Sequence, residues 1–244
     1  MPDFNLDLAE SEINKTISAA LESVAAKNAS APRPYLGTSI VGDPCARKVQ
    51  FDWWCTPFLT ARVRFIFDRG HAFEALMRDR LSTIGFYFAA PESLKFTAFG
   101  GLVEGHADGV VIRAPSFPGL YLPTPYIWEY KALNNKNWRA VARDGLEKAF
   151  VKFSVQVLLY QHFLNKLNPA LYTAINADTC ETLHFAVPYE AVRAQKAIER
   201  VEMIIEATRR GDLLERAYDN PDDWRCKLCG HRAKCWGLAD AIAA

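Results

Sequence analysis

The segment IWEYKAL, residues 127–133, is the feature that most constrains the fold of this chain. Its apolar residues are typical of a buried β-strand, yet Glu129 and Lys131 stand two positions apart within it. Strand residues two apart lie on the same face of a sheet, so this carboxylate and this ammonium are neighbours. A solvated edge strand is the ordinary explanation, unless other polar groups converge on the same place.

Three other segments place polar side chains where they could meet this strand. Asp108, in GHADGVV, lies on the preceding predicted strand and would stand beside Glu129 if the two strands pair. Glu74, in RGHAFEALM, lies on a predicted helix. Gln156 and Tyr160, in QVLLY, share one helix face through their i, i+4 spacing. The sequence therefore predicts a cluster of carboxylates with one lysine.

Carboxylates that are brought together repel one another unless a cation joins them. Oxygen ligands with room for water suit magnesium or manganese. Such a metal can activate water and stabilise negative charge on a phosphate, while Lys131 orients or deprotonates the water. This chemistry indicates phosphodiester hydrolysis.

The order and spacing of GHADG, EYK and QVLLY resemble those of the PD-(D/E)XK nucleases, specifically the RecB-like branch with its QxxxY helix motif. The resemblance spans roughly residues 35–236. It implies an α/β, restriction-endonuclease-like core in which a central mixed β-sheet is flanked by helices. The implied catalytic residues are Asp108, Glu129, Lys131, Gln156 and Tyr160, and the implied Mg/Mn ligands are Glu74, Asp108, Glu129 and the Tyr130 carbonyl.

Glu74 departs from the common pattern of this family. It stands where many members have a histidine, and resembles the phage-lambda type of exonuclease instead. An ion pair with Arg78, one turn along the helix, is the structural alternative for Glu74.

The cysteines form a second cluster. Cys226, Cys229 and Cys235 have the spacing CxxC-x5-C, which suggests metal rather than disulfide chemistry in a reducing compartment. Cys45 is the first choice for a fourth ligand. One distant cysteine with three C-terminal ones resembles the iron–sulfur nucleases of the CRISPR-associated (Cas-four) and AddB types, which implies a 4Fe-4S cluster. The alternative is zinc, with His231 as the fourth ligand.

The predicted organisation has three parts: an N-terminal helix and linker (1–34), a nuclease core (35–220) and a C-terminal cysteine module (221–244). The strands are expected to meet in one mixed sheet. Helices are predicted over 6–27, 43–54, 61–84, 145–166 and 189–210, and strands over 94–99, 102–113, 125–132, 170–177 and 181–187.

Nucleic acid would be held by local charge, because Lys plus Arg total 29 against 28 for Asp plus Glu. Basic groups after the central strand could bind phosphates and an aromatic could stack a base, although a solvated helix face is the commoner use of such a run. The predicted DNA-binding residues are Lys136, Trp138, Arg139 and Arg143. The proline-rich loop 114–126 is expected either to gate the site for single strands or to be a surface excursion.

The sequence thus predicts a metal-dependent deoxyribonuclease, an exonuclease acting on single-stranded DNA or DNA ends in recombination, repair or CRISPR-like processing. A catalytically silent DNA-binding or assembly subunit and an RNA-directed enzyme of the same fold are the alternatives. No helicase motif is present, so unwinding would need a helicase or recombination partner. The acidic N-terminus lacks a signal peptide, and no apolar run is long enough for a membrane span, so a cytoplasmic location is expected.

Overall fold

The computed structural model describes residues 11–27, 33–55 and 59–238. The helices are α1 (Glu12–Lys27), α2 (Thr38–Val41), α3 (Ala46–Trp54), α4 (Ala61–Thr83), α5 (Asn135–Ala149), α6 (Val151–Phe163), α7 (Ala191–Arg210), α8 (Trp224–Lys227) and α9 (Arg232–Trp236). The strands are β1 (Leu36–Gly37), β2 (Tyr87–Phe88), β3 (Lys95–Ala98), β4 (Val103–His106), β5 (Gly109–Arg113), β6 (Tyr126–Leu133), β7 (Ala170–Asn176) and β8 (Thr182–Val187). The predicted start of the first helix, residues 6–10, lies outside the described residues.

The main sheet has five strands within the described part of the chain, in the order β2-β5-β6-β7-β8. Only β6 and β7 among them pair in parallel, so the sheet is mixed, as predicted. Helix α6 occupies the crossover between these two strands, which is the connection that a parallel pair requires.

The prediction of a single sheet is wrong, because β1, β4 and β3 form a separate three-stranded sheet. The strand expected over 102–113 is divided at Ala107 and Asp108 into β4 and β5. Glycines flank the division and allow close packing there. A Cβ on Gly105 would lie 2.3 Å from the Phe96 ring, and one on Gly109 would lie 2.9 Å from the rings of Phe88 and Trp128. Asp108 is therefore placed at a bend and not in mid-strand.

The helix expected over 145–166 is replaced by two helices, α5 and α6, joined at Phe150. Asn134 caps the first of them, because its side chain accepts a hydrogen bond from the Asn137 N–H at 2.9 Å. The basic segment after β6 is consequently helical from its start.

The two faces of the main sheet are buried against different helices. Ile127, Leu133 and Tyr172 belong to the larger core, which includes residues of α6 and α7. Tyr126 and Trp128 face the other way and pack with residues near the end of α4. Alternation along β6 therefore puts Glu129 and Lys131 on the α6 side of the sheet. Among the described helices, none is long and apolar enough to cross a membrane.

Candidate active site

Asp108 and Glu129 are brought together by the antiparallel pairing of β5 with β6. Gly109 pairs with Trp128 in this register, so the residues that precede and follow them are adjacent. The Tyr130 N–H donates a hydrogen bond to Asp108 Oδ2 at 2.8 Å. Asp108, just before β5, and Glu129, on β6, therefore lie side by side, as the sequence predicted.

Lys131 is the counter-ion of these carboxylates. Its ammonium donates to Glu129 Oε1 and to the Tyr130 carbonyl, the latter at 2.9 Å, and lies 3.8 Å from Asp108 Oδ2. Burial works against the charge of Lys131, but the Glu129 and Asp108 carboxylates outweigh it and raise its pKa. The ammonium therefore carries its charge at neutral pH.

Glu129 is fully buried, and only one of its carboxylate oxygens has a partner. Its exposure is 0%, and Oε2 makes no hydrogen bond. Burial raises the pKa of Glu129, the Asp108 carboxylate adds to the rise, and Lys131 opposes it. A buried acceptor without a partner is costly, by about 1–3 kcal/mol, so this oxygen is suited to a ligand.

Glu74 lies on α4 and points toward the same group of charges. Its nearest ion pair is with His71, at 3.8 Å. Burial raises the pKa of Glu74, and the charge of Asp108 raises it further. The alternative ion pair with Arg78 is not formed: the Arg78 guanidinium donates to the Asp108 carbonyl and lies 4.8 Å from the centre of the Phe88 ring. Glu74 is thus left for the carboxylate cluster.

Gln156 and Tyr160 are joined to each other on α6. Gln156 Nε2 donates to the Tyr160 hydroxyl at 3.0 Å, and the two residues are 5% and 3% exposed. Burial raises the pKa of Tyr160, and the charges of Glu129 and Asp108 raise it further. Since both side chains are buried beside the carboxylates, the geometry favours a role in orienting the site over direct contact with a DNA strand.

The donor set around Glu129 fits a hard divalent cation in its chemistry. It offers carboxylate oxygens and a buried acceptor without a partner, the ligand type that magnesium and manganese prefer. In the described residues, however, no three His, Cys, Asp or Glu side chains converge closely enough to hold a metal ion. Lys131 neutralises the carboxylates in this arrangement.

The four predicted cluster cysteines line one cavity. Cys45, Cys226, Cys229 and Cys235 border a space of about 340 Å³ and form no disulfide. Burial raises the pKa of the Cys229 thiol. Among the described residues, no three cysteine, histidine or acidic side chains lie close enough together to bind one metal ion. The four sulfurs therefore surround the cavity without converging on a single metal position.

A buried ion network fastens the C-terminal module to α3. His231 Nε2 donates to Asp52 Oδ1 at 2.8 Å, and Lys48 donates to Asp52 Oδ2 at 2.6 Å. Lys48 also lies 3.2 Å from Asp43. Burial works to raise the pKa of Asp52, but the hydrogen bond from His231 and the charge of Lys48 outweigh it and lower the pKa. Asp52 thus bridges the two ends of the chain as a carboxylate.

The residues predicted to bind DNA are divided between surface and core. Lys136, Arg139 and Arg143 are exposed, and Arg143 is paired with Asp144 at 2.7 Å. Trp138 packs against the main core, and its indole N–H donates to a backbone carbonyl at 3.4 Å. The proposed stacking role of Trp138 is therefore not favoured, because core contacts occupy the ring.

The proline-rich loop lies at the other end of the hairpin from the carboxylates. Because β5 and β6 are antiparallel, Asp108 stands beside Glu129 at one end while residues 114–125 connect the strands at the opposite end. Residues 117–122 line a cavity with Leu81, Leu171 and Phe185. This position disfavours the gate over the site, and the surface excursion is the better description of the loop.

Sequence reasoning missed two residues that contact or adjoin the cluster. Arg78 was considered only as an alternative ion-pair partner of Glu74, whereas its guanidinium donates a hydrogen bond to the Asp108 carbonyl. Tyr172 is paired in register with Glu129 on the neighbouring strand. Its position in the apolar run ALYTAIN indicated only a buried strand, and no sequence signal gives the pairing register.

Comparison with known proteins places the fold. The alkaline exonuclease LHK-Exo from Laribacter hongkongensis superimposes with a TM-score of 0.52 at 12% identity, covering 79% of this chain and 93% of that one. The same enzyme in complex with dAMP gives a TM-score of 0.50 at 12% identity, covering 81% and 93%. The structure of SSO0001 gives 0.47 at 13% identity, covering 94% and 98%. No protein-family model and no curated protein sequence matches this chain. The chain shares the fold of an alkaline exonuclease.

Proposed function

We propose that this protein is a metal-dependent DNA nuclease of the PD-(D/E)XK type that hydrolyses phosphodiester bonds, most simply as an exonuclease on single strands or DNA ends. The observation that carries the proposal is the buried Glu129, whose second oxygen has no partner beside Asp108 and Lys131. The shared fold with an alkaline exonuclease supports it.

In this proposal each residue of the cluster has a distinct role. Asp108 and Glu129 would hold magnesium or manganese, with Glu74 and the Tyr130 carbonyl assisting. The bound cation would supply activation of water and stabilisation of charge on the phosphate. Lys131 would orient the attacking water or neutralise the phosphate, since its ammonium already lies between the two carboxylates. Gln156 and Tyr160 would keep the carboxylates in place.

DNA is the proposed substrate, and the exposed basic residues of α5 would contact its phosphates. The comparison enzyme has been solved in complex with dAMP, which supports a deoxynucleotide substrate for this chain. Lys136, Arg139 and Arg143 are exposed on the helix that directly follows β6. Recombination, repair and CRISPR-like processing are the proposed settings, with any unwinding supplied by a helicase partner.

We further propose that the cysteine module, within residues 221–244, closes a 4Fe-4S site with Cys45. A single zinc ion needs its four ligands at about 2.0–2.3 Å from one point. Sulfurs arranged around a cavity of about 340 Å³ suit a cluster better, because several irons extend the metal core.

The nuclease proposal is tested by cleavage of end-labelled single- and double-stranded DNA with magnesium or manganese. Asp108→Asn and Glu129→Gln should each lower the rate by at least about 100-fold, the scale of losing a major electrostatic group, while their circular dichroism stays native. Asp222→Asn, an exposed carboxylate of the C-terminal module, is the matched control. Full activity in either variant would overturn the assignment of these residues. No cleavage by the wild type would favour the silent-subunit alternative, and cleavage of an added labelled RNA but not of DNA would favour the RNA-directed one.

The cluster is tested by purification without air, followed by absorption spectroscopy and metal analysis. The wild type should be coloured and contain iron, and Cys45→Ala should lose the colour. Cys180→Ala should keep it, because Cys180 is exposed and does not border the cavity. A colourless protein with one zinc that depends on His231 and not on Cys45 would establish the zinc alternative.

A further inference from the structure

Tyr172 carries a buried hydroxyl that the proposed chemistry leaves without a role. The residue is 0% exposed, its ring packs 5.1 Å from that of Phe185, and its hydroxyl has no hydrogen-bond partner. Buried hydroxyls are normally hydrogen-bonded, so its presence in the core calls for an explanation.

The strand register places Tyr172 beside Glu129. Tyr172 pairs with Glu129 across the parallel β6 and β7, and paired residues of adjacent strands project from the same face at a strand spacing of about 4.8 Å. Burial raises the pKa of Tyr172, Lys131 opposes the rise, and Glu129 adds to it, so the hydroxyl stays protonated within range of these charges. It is available as a hydrogen-bond donor.

Glu129 and Tyr172 each carry a buried polar atom without a hydrogen-bond partner. Glu129 Oε2 is a buried acceptor without a partner, and the Tyr172 hydroxyl is a buried donor without one. A single water between them would satisfy both, because water can accept from the hydroxyl and donate to the carboxylate.

We propose that Tyr172 is a positioning residue of the active site, whose hydroxyl hydrogen bonds to the free oxygen of Glu129 through one ordered water and fixes the orientation of that carboxylate for a divalent cation. This inference rests on the proposed function for its purpose, but it concerns cation binding, which is measurable without DNA. Groups that orient a metal ligand typically change metal affinity by about 10–100-fold when they are removed.

The test is Tyr172→Phe, with Tyr126→Phe as the matched control. Tyr126 also lies on the main sheet, is 0% exposed and has a hydroxyl without a partner, but it faces the opposite core. Burial raises the pKa of Tyr126 to about 12. Both substitutions remove only one oxygen atom from a buried ring.

Manganese affinity is measured by titration calorimetry on the full chain, together with thermal stability and with kcat and KM for single-stranded DNA. We expect Tyr172→Phe to bind manganese at least about 10-fold more weakly, with its lost kcat restored by excess metal, and Tyr126→Phe to match the wild type. Equal affinity in the two variants, or no manganese binding by the wild type, would overturn the inference. If the wild type binds manganese but cleaves no DNA, only the nuclease proposal is refuted. The effect of Tyr172→Phe on manganese affinity then still tests the role of Tyr172.

Discussion

Asp52→Asn should loosen the attachment of the cysteine module more than any change to the module's surface charges. The Asp52 side chain is 15% exposed and receives hydrogen bonds from His231, which is 3% exposed, and from Lys48, which is 27% exposed. Removing one partner of a buried ion pair typically costs about 3–5 kcal/mol, because the remaining charge is left uncompensated, and it costs less where the pair is partly exposed, as here. Lys48 keeps Asp43 at 3.2 Å, which favours the lower end of that range.

A loss of about 3 kcal/mol corresponds to a fall in Tm of about 6–12 °C for a chain of this size. Thermal unfolding of the full chain, followed by circular dichroism at pH 7, measures it. Asp222→Asn is the control, since Asp222 is 64% exposed and its ion pairs with Arg232 and Lys227 lie on the surface. Such pairs contribute about 0–1 kcal/mol. If Asp52→Asn unfolds within 2 °C of this control, on the scale of about 2–4 °C per kcal/mol, the network does not fasten the module.

The pH dependence of this difference follows from the direction of the pKa shift. The folded pKa of Asp52 is lowered, so its ionisation stabilises the protein above the unfolded value of about 3.9, and this contribution is lost as the pH falls through the folded pKa. The gap in Tm between the wild type and Asp52→Asn should therefore be constant near neutrality and shrink below about pH 4. A gap that widens in acid would contradict the assignment of Asp52 as a carboxylate.

Two further predictions concern other contacts. Arg78→Lys should lower the rate of DNA cleavage about 10–100-fold while the fold is retained, because the guanidinium donates to the Asp108 carbonyl and stacks on Phe88. Steady-state kinetics measures this rate. A rate equal to that of the wild type would show that the contact is dispensable. Gly42→Ala should destabilise the protein by about 1–3 kcal/mol, because the new Cβ would lie 2.7 Å from Lys152 Cα, whereas Gly70→Ala, in an open part of α4, should be neutral or stabilising by up to about 1 kcal/mol. Denaturant unfolding compares the two glycine variants, and equal effects would refute the predicted close approach.

The carboxylate cluster could be predicted because its determinants are local. Alternation places Glu129 and Lys131 on one face, and consecutive strands such as those of Asp108 and Glu129 tend to pair. The spacing of Gln156 and Tyr160 is likewise a property of a single helix. The distance between residues on one element, or on two strands that pair in sequence order, can be inferred without knowledge of the tertiary packing.

What could not be predicted depends on register and on packing between distant segments. The pairing of Tyr172 with Glu129 requires the offset of two parallel strands that are separated by α5 and α6. The division of the predicted strand at Asp108 depends on aromatic rings that pack over Gly105 and Gly109. No window of sequence contains both partners of such contacts.

Another contact between distant segments connects the elements that carry the two polar sites. Gly42, at the end of α2, approaches the backbone of α6 at Lys152, one turn before Gln156. Burial lowers the pKa of Lys152, the charge of Lys48 lowers it further, and Lys131 acts in the same direction. Lys152 therefore lies between the ion network that holds the cysteine module and the lysine of the carboxylate cluster. Because α6 also carries the Gln156–Tyr160 pair, a shift of α2 and α3 caused by loss of the module would be transmitted to the carboxylates through this helix. The cysteine module would then support the active site mechanically, without contributing a group to its chemistry.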